Sequence, residues 1–236
     1  MYLSDVFDQL MYGELSQLHI GGDECEVIKP ENYAKIAAHV NLGLSALHTR
    51  FLLREDEVIL QQYSHITDYR LHSDFAQTNT ASNEPHKYII DSPERPFTDN
   101  IIKIETVYDE GGCKVPLNNP VESCSVYTPA PNTLQVPAPH NANSTFIMYR
   151  AEHDHLIVDE ATDLTKVRVN LPRAFLEALL YYIASRHFTP LGATEAGNVS
   201  MEFRQKYEAA CAMLELKNIA AEDNHTNTQL EVAGWV

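Results

Sequence analysis

Leu171-Pro172-Arg173-Ala174-Phe175-Leu176-Glu177-Ala178-Leu179-Leu180-Tyr181-Tyr182-Ile183 is the stretch on which the reading of this chain turns. Proline suits the first turn of a helix, where its missing N–H would be unpaired anyway, so Leu171-Pro172 marks a start. Phe175, Ala178, Leu179, Tyr182 and Ile183 then fall on one face at helical spacing. Leu176, Leu180 and Tyr181 lie off that face. A helix apolar on more than one side is buried on more than one side, at the centre of a bundle or against a neighbouring copy.

Outward from this helix, both ends of the chain keep the same period. Thr189-Pro190-Leu191-Gly192 breaks it, and a fourth helix from about Ser200, capped by Asn198 or Ser200, carries Phe203, Tyr207, Ala210 and Leu214. Near the N-terminus Leu3, Val6, Phe7, Leu10, Met11, Leu15 and Leu18 make one stripe, with Ser4 as N-cap and Gly21-Gly22 as the stop. Gly13 inside that stripe costs about 1 kcal/mol relative to alanine, so it marks a bend or a close contact. A second helix starting at Pro30 places Tyr33, Ile36, Ala37, Val40, Leu44, Leu47 and Phe51 on its apolar face. Two amphipathic helix pairs must meet to cover these faces. The expected fold is therefore α+β, with a four-helix bundle built from residues 1–54 and 171–219.

Residues 55–170 follow a different rule. They hold nine of the twelve prolines and short runs rich in β-branched and aromatic residues: Val58 to Tyr63, Lys87 to Ile90, Ile101 to Tyr108, Thr145 to Tyr149 and Lys166 to Leu171. In the third run Ile102, Ile104, Thr106 and Tyr108 alternate with Lys103 and Glu105, the pattern of a half-buried antiparallel strand. Asp109-Glu110-Gly111-Gly112 reads as a turn into a hairpin partner at Lys114 to Leu117. This is an inserted antiparallel β-rich domain. Its stretch 116–139 carries six prolines with Tyr127, Leu134 and Val136 between them. Proline cannot donate to a central ladder, so the stretch is expected as an extended arm or edge structure that reaches a neighbour.

Residues 220–236 are polar until Leu230-Glu231-Val232-Ala233-Gly234-Trp235-Val236. They read as an extended tail whose Leu230, Val232, Trp235 and Val236 anchor it on a partner, Trp235 being the only tryptophan of the chain. With 236 residues, of which 44% are hydrophobic and 21% charged, the chain can bury a real core. The net charge of −16 argues against a surface that neutralises nucleic-acid phosphates. No secretory signal and no apolar run near membrane-spanning length is visible, so a soluble protein made in the cytoplasm and free of any membrane is expected. Cys25, Cys113, Cys124 and Cys211 are scattered and signal neither a zinc site nor a disulfide framework.

Chemistry-bearing patterns are weak. His153-Asp154-His155 would put two imidazoles on one face of a strand, the beginning of a metal site without an evident third ligand. His19, Asp23, Glu24, Cys25 and Glu26 around Gly21-Gly22 read as a polar loop. Nucleophile-elbow, H-E-x-x-H, phosphate-loop and dinucleotide fingerprints are absent from the sequence. Neither a catalytic residue nor a cofactor is expected.

Leu3-Ser4-Asp5-Val6-Phe7-Asp8-Gln9-Leu10 with Tyr12-Gly13-Glu14-Leu15-Ser16, Asn41-Leu42-Gly43-Leu44-Ser45-Ala46-Leu47, Asn132-Thr133-Leu134-Gln135-Val136-Pro137 and the closing helices resemble the head-to-tail connector proteins of tailed bacteriophages, of the adaptor or tail tubular protein A kind. The resemblance implies a virion protein of the neck and tail, assembled in the host cytoplasm. It implies a homo-oligomeric ring, typically a dodecamer, that sits beneath the portal protein, carries the tail nozzle or tail tube protein and docks on the portal through a C-terminal extension. DNA would pass through without specific binding, past acidic walls that repel phosphates. Leu176, Leu180 and Tyr181 with Tyr127, Leu134 and Val136 are the expected inter-subunit residues. Two readings stand against it: a metal-dependent hydrolase using His153 and His155, and another neck or tail-completion protein.

Overall fold

A computed structural model describes residues 1–15, 28–141, 143–188 and 194–217, without the side chains of 194–197. The chain divides into two compact units, Met1–Leu53 with Asp154–Val236, and Arg54–His153. The fold is α+β, with four α-helices and two antiparallel sheets of eight strands in all among the described residues.

The first unit brings the chain ends together, but not as the expected four-helix bundle. Its helices are α1 (Leu3–Tyr12), α2 (Tyr33–Arg50), α3 (Leu176–Phe188) and α4 (Thr194–Leu216). α3 is the hub, with α2, α4 and a short stretch of α1 packed on it. The core they share is also filled by irregular chain: Val169 and Leu171 are buried in it, and Leu156, Val158, Leu164 and Val167 pack against it. Leu3 N–H donates to Val167 O at 2.9 Å and Val169 N–H to Met1 O at 2.9 Å, so the start of α1 is bound to extended backbone.

The helix boundaries show how tertiary pairing shifts local signals. α1 begins one residue before Ser4, and Asp5 caps it by accepting from Tyr2 N–H at 2.8 Å. It stops at Tyr12 with Gly13 as its cap, so Gly13 ends the helix and does not bend it. Pro30 opens a 3-10 turn over Pro30–Asn32 that leads into α2, and Pro172 precedes a similar turn at Arg173–Phe175 ahead of α3. Both prolines act at helix entries, as their fixed φ requires. α4 starts at Thr194, which places Asn198 and Ser200 inside the helix; Ser200 Oγ donates to Ser185 O at 2.9 Å instead of capping. At Gly43 α2 and α3 approach closely: a Cβ there would stand 2.6 Å from Leu179 Cδ1 and 3.2 Å from Tyr182 Cδ1.

The second unit is all sheet and loop. β1 (Glu55–Gln61), β3 (Ile89–Ile90), β4 (Ile101–Tyr108), β5 (Lys114–Val115) and β8 (Ser144–Ala151) form one sheet in the order β3-β1-β8-β4-β5. β2 (Asp68–Arg70), β6 (Tyr127–Ala130) and β7 (Thr133–Gln135) form the other in the order β2-β7-β6. The alternation expected along β4 is broken by two register shifts against β8, between Ile101 and Lys103 and between Ile104 and Thr106. An extra residue reverses the facing of everything after it, so Ile104 and Val107 are the buried pair. The Asp109–Gly112 turn does lead into β5, with Asp109 Oδ1 accepting from Gly111 N–H at 2.9 Å and Cys113 N–H at 2.8 Å. Gly112 supplies the left-handed φ of +77° that the turn requires.

The proline-rich stretch 116–139 is folded onto its own unit. Val126 N–H and Ser125 Oγ both donate to Pro116 O, at 2.9 and 3.1 Å. Pro129 lies in β6, the edge strand of the smaller sheet, where a missing donor costs no ladder bond. Lys166 to Leu171 forms no strand; Arg168 makes only an isolated bridge with Tyr2, in the helical unit.

Candidate interaction site

α3 and α4 run side by side over most of their length, and their aromatic residues set the spacing. Phe188 stacks on Phe203 with ring centroids 5.7 Å apart, Tyr181 lies 6.3 Å from Phe203, and Tyr182 meets Tyr207 edge-on at 5.2 Å. Toward the start of α3 the partners change to alanine. Ala174, Ala178, Ala209 and Ala210 cannot fill the space that these aromatics fill further along, and a groove of about 380 Å³ remains. Tyr181, Met213 and Leu214 also line it. Met213 is 52% exposed, and Leu216 on the same helix 80%.

The rim of the groove is charged. Glu177 stands on the α3 side, Lys206 and Lys217 on the α4 side. Tyr181 donates its hydroxyl to Glu177 Oε1 at 2.9 Å, and this bond, with partial burial, raises the Tyr181 pKa. Lys206 pairs with Glu202 at 2.7 Å while its ammonium sits 5.0 Å from the Phe203 ring centroid. Across the unit, Arg50 of α2 bridges two carboxylates of α4, Glu208 at 2.6 Å and Glu215 at 2.7 Å. α4 is therefore held at fixed rotation, and the face bearing Met213 and Leu216 stays outward.

The structure treats the expected inter-subunit residues differently. Leu176 and Tyr181 are half-buried against the helical core, with Tyr181 at the groove. Leu180 is buried within its own unit, and Leu134 and Val136 lie in the core of the sheet unit. Those three spend their apolar surface inside the chain and offer little to a second copy. Tyr127 is half-buried on the edge strand β6. Leu230, Val232, Trp235 and Val236 lie outside the described residues, as do Gly21-Gly22 and the polar loop around them.

His153 and His155 do not share a strand, because β8 ends at Ala151. His155 Nε2 lies 3.4 Å from Asn41 Nδ2. Among the described residues no three His, Cys, Asp or Glu side chains gather as a metal-binding group. On the α4 side of the groove, Ala210 and Leu214 belong to the face expected from the sequence, whereas Ala209 and Met213 belong to a second apolar stripe with Ala212 and Leu216 that was not singled out. No protein-family model matches the chain, and no curated protein is significantly similar to it in sequence.

Proposed function

We propose that the protein is a structural virion component, a head-to-tail adaptor of a tailed bacteriophage that forms a ring between the portal and the tail nozzle. The observation that carries the assembly part of this reading is the outward apolar face of α3 and α4, with Tyr181 and Met213 in its groove and Leu216 beside it. Apolar area removed from water contributes about 25 cal/mol per Å², so a neighbour covering this face gains directly. A ring closes through two different surfaces per copy, and the charged rim of Glu177, Lys206 and Lys217 gives the contact a direction. The place of the ring in a phage neck comes from the sequence resemblance, and the net charge of −16 suits a conduit to which DNA does not adhere. Residues 220–236 are the proposed portal anchor.

Native mass measurement of the purified chain, with and without portal protein, tests the reading. A ring that forms on the portal and is lost in Met213→Glu and Leu216→Glu is the expected result. A chain that ignores the portal would overturn it, and so would ring assembly that both charged variants leave unchanged.

A further inference from the structure

The geometry points to a second, independent site: a divalent transition-metal clip made by His65 and His86 on the sheet unit. The two residues are 21 positions apart, yet their Nε2 atoms stand 3.2 Å from each other, with ring centroids 4.7 Å apart and planes at 63°. Zinc binds imidazole nitrogen at about 2.0–2.1 Å, so two ligands on a tetrahedral ion are separated by about 3.3–3.4 Å. The observed spacing is within about 0.2 Å of that bite.

The backbone under both rings is held from several directions. Tyr63 N–H donates to the Tyr69 hydroxyl at 2.8 Å, which donates back to Tyr63 O at 3.1 Å. Ser64 N–H donates to Asn141 Oδ1 at 2.7 Å. On the other side Gln61 N–H donates to Tyr88 O at 2.7 Å, and Lys87 Nζ is bonded to Asn79 O. The Tyr63 ring packs near both imidazoles, 5.9 Å from His65 and 5.2 Å from His86. Exposed side chains normally lose rotamer freedom on binding a metal, and here much of that ordering is already done.

In the metal-free protein one imidazole donates its Nε2 proton to the other. Binding moves that proton to Nδ1 of the same ring through solvent, so both Nε2 lone pairs face the ion with no net change of protonation. Imidazole suits zinc, copper and nickel, and no third His, Cys, Asp or Glu joins the pair among the described residues. Water completes the coordination, which makes the site an open clip tying the β1–β2 turn to the segment before β3.

Calorimetric titration of the full chain with zinc chloride, paired with the thermal midpoint, tests this. One zinc binds per chain, the midpoint rises with zinc and returns with chelator, and His65→Ala or His86→Ala weakens binding by at least the roughly tenfold cost of losing a ligand's outer-shell partner. His72→Ala, which removes a histidine elsewhere on the same unit, leaves binding intact. The clip is overturned if zinc produces neither heat nor a midpoint shift, or if both survive unchanged in His65→Ala and His86→Ala.

Discussion

Asn41 and Leu156 are joined by two hydrogen bonds of 2.9 Å each: Asn41 Nδ2 donates to Leu156 O, and Leu156 N–H donates to Asn41 Oδ1. One side chain on α2 thus pairs both backbone groups of a residue 115 positions later, as a neighbouring strand would. Asn41 is only 6% exposed. The amide satisfies itself and the irregular segment that enters the helical core, and this explains how a polar residue tolerates burial on the apolar side of α2.

Asn41→Leu keeps the size of the side chain and strands the two backbone groups of Leu156. Leaving a buried donor or acceptor unpaired costs about 1–3 kcal/mol, so the unfolding free energy should fall by that amount and the urea midpoint should drop at constant slope. Asn41→Asp keeps the bond from Leu156 N–H but buries a carboxylate with one oxygen against Leu156 O, and should cost at least as much as the Leu variant. A Leu variant as stable as the parent would show that Leu156 is paired by something else.

Arg150 on β8 is buried, and its Nε and Nη2 both reach Glu105 Oε1 of β4 at 2.9 Å. Removing one partner of a buried pair is costly because the other charge stays behind, so Arg150→Met should destabilise by about 3–5 kcal/mol. Lys103, 3.0 Å from Glu105, compensates part of that charge and places the expected loss at the low end of the range. The double variant Arg150→Met, Glu105→Leu should recover much of the loss; a double variant no more stable than Arg150→Met alone would show that the unpaired Glu105 carboxylate is not the source of the penalty.

His39 and His187 face each other edge-on across α2 and α3, with ring centroids 6.3 Å apart. Both His39 ring nitrogens and His187 Nδ1 are buried without a hydrogen-bond partner. Burial, then the nearby Lys35 and the facing His39, lowers the His187 pKa from 6.5 to about 4. Burial, with Lys35 and Arg186, lowers that of His39 as well. Because the unfolded chain binds the proton more readily, this contribution to stability is complete above pH 6.5 and is lost as the pH falls toward 4, by about 3 kcal/mol for His187. His187→Gln should flatten the stability profile between those values. A profile as steep as the parent's would assign the acid sensitivity to other groups.

The types of the elements were legible in the sequence, and their assembly was not, because helical and strand periods are local properties. The apolar stripes of α1 to α4, the prolines at the entries of α2 and α3, and the Asp109–Gly112 turn need only neighbouring residues to specify them. Of the candidate site, Tyr181 could be named as lying off the main face of α3. The α4 stripe of Met213 and Leu216 was hidden beside a stronger one, and Leu134 and Val136 read as arm residues because proline content says where a ladder cannot run, not what covers the side chains.

The sequence by itself determined the element types, the acidity and the separation of helical ends from a sheet-forming middle. Tertiary structure alone decided that the chain ends pack around α3 together with irregular chain, without forming a four-helix bundle, that bulges turn Val107 inward, and that His65 meets His86. Those outcomes depend on contacts between residues far apart in the chain: the Asn41–Leu156 pairing, the register of β4 on β8, and the docking of two loops. No local period encodes them, because each is settled by which distant groups satisfy one another's hydrogen bonds and fill one another's space.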